Sequence, residues 1–222
     1  MRLALFDLDH TLIPLDSDYA WGEFTVELGW RDATGFSQAN DGFYADYKAG
    51  TLDIHRYVRF ATDAVRERGL AASQQAHDRF MEQVIRPAIG EPARALLRGH
   101  QAAGDTVVIV TATNEFVTRP IAEAFGVDEL IAIELERDGH GEPTGAIRGT
   151  PSFREGKIAR VEQWLAARGL DWSRVQHSTF YSDSINDLPL LEKVHEPVAT
   201  NPDAQLRAIA LERGWRTLNL FE

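Results

Sequence analysis

The chain has 222 residues, no cysteine, 44% apolar residues and a formal net charge of −11. That length and apolar share suffice for one hydrophobic core plus a smaller subdomain, and the missing thiols exclude a disulfide framework, a thiolate nucleophile and cysteine-based zinc sites. The acidic balance argues against nucleic acid as a partner, because phosphate backbones select basic surfaces, and no run approaches the ~18 apolar residues of a membrane span.

Residues 2–6 read as a buried strand entered directly from the N-terminus, with no signal-like segment before it; this predicts a soluble, cytoplasmic protein. The strand delivers Asp7, Asp9 and Thr11 at its carboxyl end, where open α/β sheets place their chemistry. Residues two apart face one side of an extended chain. Asp7 and Asp9 therefore face one reaction centre, one as nucleophile or metal ligand and the other as acid/base. The plainer use of such residues is a turn with side-chain hydrogen bonds.

Residues 14–86 form a long insertion that holds eleven of the chain's aromatic residues. Most are expected to be the insertion's own core, with one or two near Trp21 lining a pocket. Asp16 and Asp18 suit an N-cap and a solvated acid at the first inserted helix. A helix follows over 88–103, then a β-branched strand over 106–110. Thr111-Ala112-Thr113-Asn114 then leads into a helix over 115–125 that Pro120 should kink or start. Hydroxyls and backbone N–H groups at a helix start suit a phosphate.

The third strand is 130–133, and the turn signals in 134–149 predict a β-hairpin. Gly156-Lys157 begins a helix over 157–168 with Ile158, Val161 and Leu165 on its apolar face. A lysine near a helix start stands against the macrodipole, which points to an anionic partner. The fourth strand runs from about Ser178 to Asp183. A helical turn starting there would put Asp183 and Asp187 on one face, two like charges that call for a divalent metal or a lysine between them. Residues 197–199 give a fifth strand, and Asn201-Pro202 opens the last helix. Strands alternating with helices predict an α/β fold with a doubly wound parallel sheet and an inserted α-helical cap.

Asp7-x-Asp9-x-Thr11, Thr111, Lys157 and Asp183-x-x-x-Asp187, in that order, resemble the four motifs of the haloacid dehalogenase superfamily. The long insertion between the first two is similar to that of the phosphoserine-phosphatase-like branch, subfamily IB. The resemblance implies an α/β core from residues 1–13 and 87–222, with a cap over 14–86. It implies a phosphatase that hydrolyses a small phosphate ester through an aspartyl-phosphate on Asp7, with Asp9 as acid/base. Mg²⁺ would be held by Asp7, Asp183 and the backbone carbonyl of Asp9. Thr111, Ala112 and Lys157 would hold the phosphate, with Asn186 nearby, while Asp187 orients a water and Lys157. The acid at Asp9 favours a phosphatase over a dehalogenase, because a halide leaving group needs no proton.

The departures bear on the substrate. Asp16 stands where the serine-phosphate enzymes carry a Glu, which makes it a substrate-binding position. Ala61 stands where they carry an Arg in the cap, with Arg59 two residues and Arg56 five residues early. Ser182 replaces a Gly. An acid without its carboxylate clamp suits an amino-alcohol phosphate, such as histidinol phosphate, phosphocholine or phosphoethanolamine, better than phosphoserine. Alternatives are a phosphotransferase using a second acceptor, a non-catalytic binding protein that kept the fold, and a phospho-accepting signalling domain, which needs no cap.

Overall fold

A computed structural model describes residues 1–221 of the chain. Its centre is a six-stranded sheet of β1 (Arg2–Phe6), β2 (Thr106–Asn114), β3 (Glu129–Ile133), β6 (His177–Ser182), β7 (Glu196–Thr200) and β8 (Arg216–Leu218). The remaining strands, β4 (Leu135–Arg137) and β5 (Pro143–Ile147), form the predicted hairpin. The sheet order is β3-β2-β1-β6-β7-β8, parallel throughout. β1 is central, and alternate side chains enter opposite layers. Ala4 and Phe6 join Ile109, Tyr181 and Val198 beneath the helices that carry Leu97 and Ile121. Leu3 and Leu5 join Val108, Val110 and Phe180 against Val161, Leu165, Leu191 and Leu206. The α/β doubly wound architecture is as the alternation predicts.

Between β1 and β2 the chain is helical: Ser17–Glu27, Ala33–Ala49, Ile54–Ala61, Asp63–Arg68 and Leu70–Phe80, then a π-helical turn Met81–Ile85 and the short helix Arg86–Ala88. Asp16, Asp32 and Asp53 cap the first three, each accepting backbone N–H groups of the opening turn, as N-cap acids do. The inserted aromatics divide into two groups. Phe36, Phe43, Tyr57 and Phe60 stack among themselves. Trp21, Phe24 and Phe80 instead pack in the same buried cluster as Phe6 and Tyr181 of the sheet, so they are not a core of the insertion alone. The hairpin rests on the inserted helices, where Leu135 and Ile133 bury Val58.

Several boundaries differ from the sequence reading. β2 continues through Thr111–Asn114, regaining register with β3 at Ile133 after an irregularity; this segment is strand and not a loop leading to a helix. Pro120 lies inside the helix Glu115–Ala124 without ending it, because at the sixth position it removes only one intrahelical bond. The helix of Lys157 spans Glu155–Ala166, and the helix before β2 spans Glu91–Ala102. Among the described residues, no helix is long and apolar enough to cross a membrane.

Candidate active site

Parallel register makes the site. Phe6 pairs with Ile109 on one side and Tyr181 on the other, so Asp7, Thr111 and Asp183 emerge at the same end of three adjacent strands. After Asp9 the backbone turns through His10 in the left-handed region, with φ 55°. The N–H groups of Leu12 and Ile13 return to the Leu8 carbonyl. This turn brings Thr11 back over Asp7. The Thr11 hydroxyl oxygen lies 3.1 Å from Asp183 Oδ1 and 3.4 Å from Asp7 Oδ2, and it accepts the Asp183 N–H at 3.0 Å. Two carboxylates from distant stretches thus meet at one hydroxyl.

Lys157 reaches the same place from the other side. Its Nζ donates to Asp7 Oδ1 and to Asp187 Oδ2, both at 2.7 Å, and the side chain is buried. The start of its helix is built tightly. A Cβ on Gly156 would lie 2.1 Å from the Pro151 carbonyl oxygen, so only glycine fits. Arg154 before it is held at φ 52°, and Ser152 Oγ donates to the Thr111 carbonyl at 2.6 Å. The lysine is thereby tied to β2 as well as to its acids.

Asp183 and Asp187 do not share a helical face. Asp183 follows β6 directly, a 3₁₀ turn spans Ile185–Asp187, and the helix begins only at Leu188, with Pro189 in its first turn. The two acids are separated by their partners: Asp183 takes Thr11, while Asp187 takes Lys157 and Ser182 Oγ, the latter at 2.7 Å. Asp203 secures the loop between them, donating its N–H to the Asp183 carbonyl and accepting from Ile185.

Asp9 lies beside this cluster in the same pocket and bridges two elements. Its Oδ1 accepts from the Ser17 N–H and its Oδ2 from Thr113 Oγ1, both at 2.8 Å. Both of its side-chain oxygens are therefore engaged, one by the first inserted helix and one by the end of β2. Among the described residues, no three His, Cys, Asp or Glu side chains form a metal-holding group by themselves. A cation here would draw on the Asp7 and Asp183 carboxylates completed by main-chain oxygen, an all-oxygen set that suits a hard divalent ion.

The electrostatics follow from burial. Desolvation raises Asp7, Asp183 and Asp187, Asp183 well above the carboxylate range and Asp187 to about 6, with Lys157 pulling Asp7 and Asp187 back down. Burial alone would lower the ammonium of Lys157, but Asp187 and Asp7 outweigh it and the net direction is up. Lys157 thus serves two of the three acids, and Asp183 beside Asp7 has no cation of its own, which raises it most and leaves it the place where a second cation would be favoured. Asp9 is raised to about 6 by burial and then by Asp16, against the pull of its Ser17 and Thr113 hydrogen bonds. That value places it near neutrality, where a group both gives and takes a proton effectively.

The cluster lies at the floor of a pocket roofed by the inserted helices and lined by Asp16, Tyr19, Asn40, Phe43, Tyr47 and Tyr57 among others. Asp7, Asp9, Thr111, Ala112, Lys157, Asp183, Asn186 and Asp187 all line it. Asn186 is already engaged, its Nδ2 donating to the Tyr47 carbonyl at 3.3 Å. Asp16 is both N-cap and pocket wall: its Oδ1 accepts the Asp18 and Tyr19 N–H groups. Asp18 is not a solvated acid but buried, hydrogen-bonded to Asn114 Nδ2 and to Tyr57. Trp21 lies in the core cluster and not in the pocket. Neither Arg56 nor Arg59 reaches the lining; the guanidinium near Ala61 belongs to Arg31, which donates to the Phe60 and Ala61 carbonyls outside the pocket.

Asn40 and Asp203 escape the sequence reading, while Thr113 and Ser182 appear in it only as a hydroxyl near Thr111 and as a replacement for a Gly, without the contacts to Asp9 and Asp187 that they make.

The haloacid dehalogenase-like hydrolase family model matches residues 4–192. A Neisseria meningitidis serogroup C (strain 8013) protein named histidinol-phosphatase is 44% identical over 218 residues, covering 98% of each chain. A Mycobacterium tuberculosis (strain ATCC 25618 / H37Rv) protein named phosphoserine phosphatase SerB1 is 32% identical over 215 residues, 96% of this chain and 68% of that one. A crystal structure of a protein with unknown function from Bordetella pertussis Tohama I superposes with a TM-score of 0.93 at 49% identity, over 99% of both chains. A substrate-bound phosphoserine phosphatase shares the fold, with a TM-score of 0.68 at 16% identity over 99% of this chain and 93% of that one. Matched from the first strand through the turn that carries Asp187, the chain belongs to the haloacid dehalogenase-like hydrolases.

Proposed function

We propose that this hydrolase is a Mg²⁺-dependent phosphomonoesterase acting on a small amino-alcohol phosphate, with histidinol phosphate as the leading substrate. The observation that carries the reading is the bridge from Lys157 to both Asp7 and Asp187, with Thr11 joining Asp7 to Asp183. A lone acid on a strand end would not need that apparatus; an acid whose ester must be formed and broken beside other anions does.

In the first step a carboxylate oxygen of Asp7 forms a bond to phosphorus as the ester P–O bond breaks. Asp9, protonated, gives its proton to the departing alkoxide. Asp9 then takes a proton from water as that water attacks the phosphorus and frees Asp7. One residue near pH 6 serves both halves. Mg²⁺ held by Asp7, Asp183 and the Asp9 carbonyl would neutralise charge on the transferring phosphoryl group. Lys157 and the Thr111 hydroxyl would meet its other oxygens, and the inserted helices would act as a cap that excludes bulk water.

Two points favour an amino alcohol over an amino acid. The pocket has the acid Asp16 in its wall, whereas among the described residues its lining lysines are Lys157, committed to two carboxylates, and the exposed Lys48, whose Nζ lies over the Tyr44 ring. The Neisseria relative with end-to-end similarity is named histidinol-phosphatase. A small phosphorylated metabolite as substrate is in keeping with a cytoplasmic activity.

The test is phosphate release from histidinol phosphate, phosphoserine and phosphoethanolamine, with Mg²⁺ and with a chelator. Histidinol phosphate is expected to be hydrolysed in Mg²⁺ alone, and Asp7→Asn to abolish turnover. Release from none of the esters, or substantial turnover by Asp7→Asn, overturns the reading.

A further inference from the structure

The helix Ala33–Ala49 turns the stripe Phe36, Asn40, Phe43 and Tyr47 toward the rest of the molecule, at the i, i+4, i+7, i+11 spacing of one helix face. Three of those positions are aromatic; packing alone would make the fourth apolar as well. Asn40 is only 4% exposed, it lines the pocket above Asp7, and its Nδ2 has no hydrogen-bond partner.

Most other buried polar groups that the inserted helices present to the pocket are engaged, while Tyr44 and Lys48 pair with each other at its exposed edge, the Lys48 Nζ over the Tyr44 ring. Tyr47 donates to Ser184 Oγ at 3.0 Å, Tyr57 is hydrogen-bonded to Asp18 and Tyr19 to Glu23, while Asp16 Oδ1 caps its helix. An amide nitrogen buried among rings with nothing to donate to is costly to keep. Asn40 lines a space shared with Phe43, Tyr44, Tyr47 and Tyr57, the rings that would stack on a planar group.

We propose that Asn40 is a specificity-determining residue that hydrogen-bonds a ring nitrogen of the leaving alcohol, so that the pocket selects phosphate esters carrying a flat nitrogen heterocycle over equally flat hydrocarbon ones. The inference rests on the phosphomonoesterase reading and adds the group that recognises the far end of the substrate. A carboxamide offers both a donor and an acceptor, and a neutral imidazole offers one of each, so either ring nitrogen can be served by a rotation of the amide. Asn40 touches no reacting atom; its effect is on which alcohol is held over Asp7.

The experiment compares histidinol phosphate with phenylalaninol phosphate, which keeps the amine and the flat ring but lacks ring nitrogen. The wild-type enzyme is expected to favour the imidazole ester in kcat/KM by at least about tenfold, the worth of one hydrogen bond to an otherwise unpaired buried group. Asn40→Leu and the smaller Asn40→Ala should bring the two esters to within about threefold, through a rise in KM for histidinol phosphate rather than a fall in kcat. Competition by the free alcohols on the wild-type protein supplies a readout that needs no variant: histidinol should inhibit more tightly than phenylalaninol. Equal wild-type kcat/KM for the two esters, equal inhibition by the two alcohols, or a ratio that survives both substitutions overturns the proposal. If instead wild-type protein releases phosphate from neither ester, it is the phosphomonoesterase reading that has failed.

Discussion

Asp18 gives the sharpest test of how this pocket spends stability. It is buried behind Asp16, and desolvation, then the charge of Asp16, raises it from 3.8 to about 7, against the Tyr57 hydrogen bond and the more distant Arg31. A folded-state value above the unfolded one means that the group stabilises the fold fully below about pH 4 and loses that contribution as pH rises through about 7. A gap of about three pH units corresponds to about 4 kcal/mol of cost at pH 8, and to about 1–2 kcal/mol at pH 5, where the folded group is protonated and the unfolded one is not. Asp18→Asn replaces the acid with a neutral isostere. Its remaining oxygen can accept from Asn114, and the Tyr57 hydroxyl can turn to accept from the new amide. The variant should therefore melt higher than wild type by about 8–16 °C at pH 8, narrowing to about 3–6 °C at pH 5, on the scale of ~2–4 °C per kcal/mol for a domain of this size. The assay is a pair of metal-free thermal melts at the two pH values. An equal gain at both, or a loss at pH 8, would refute the claim that a buried ionised Asp18 is held at a cost.

Three other outcomes test the cluster on the floor of the pocket. Lys157→Met should lower metal-free stability at pH 8 by about 3–5 kcal/mol, since it strands two buried carboxylates. The loss should shrink toward pH 5 as Asp187, near 6, takes up a proton; a melt that does not respond to pH would count against the shared cation. Asp9→Asn should slow the first step, release of the alcohol read in a single-turnover experiment, by about a hundredfold or more for an alkyl phosphate but much less for p-nitrophenyl phosphate, because an aryl oxide leaves without a proton. Equal losses in that single-turnover step would remove Asp9 from the acid role. Saturating Mg²⁺ should raise the melting temperature at pH 8, with about 2.7 kcal/mol gained at a hundred times its Kd, and Asp183→Asn should erase that gain. A gain that persists in the variant would move the ion elsewhere.

What the sequence discloses and what it hides have physical causes. The central strands are legible because Arg2–Phe6, Thr106–Val110 and Ser178–Tyr181 are apolar or β-branched runs, and a parallel sheet brings their C-terminal ends together without further instruction. Thr111–Asn114 looks like a loop because its side chains are polar, yet those side chains serve the site while the backbone goes on pairing with β3. β8 has no apolar alternation to reveal it: Arg216 and Thr217 are exposed, and backbone pairing plus an ion pair from Arg216 to Glu196 attach it to β7. The separation of Asp183 from Asp187 was signalled by Pro189, which favours the first turn of a helix and so places the helix start after Asp187. Tyr19 and Trp21 diverge because two residues turn a helix by ~200°, sending the first to the pocket and the second to the core. Asn40 belongs to no motif. Its meaning arises only when the helix that bears it folds over Asp7, a contact between residues far apart in the chain.

Asp9, the proposed proton-transfer residue, sits where the end of the sheet meets the first inserted helix. One oxygen of Asp9 is bonded to Ser17 at the start of the first inserted helix, the other to Thr113 at the end of β2. The helix start stabilises the ionised form through its N–H groups, while the enclosure that the same helices create, with Asp16 beside it, stabilises the protonated form. These opposed effects leave Asp9 at about 6. Withdrawing the inserted helices would remove both at once, admitting water and detaching Ser17, and the carboxyl would return toward an ordinary, fully ionised aspartate. On the proposed mechanism, a protonated Asp9 at neutral pH would then require the covered pocket, tying leaving-group recognition by the roof to proton delivery at the floor.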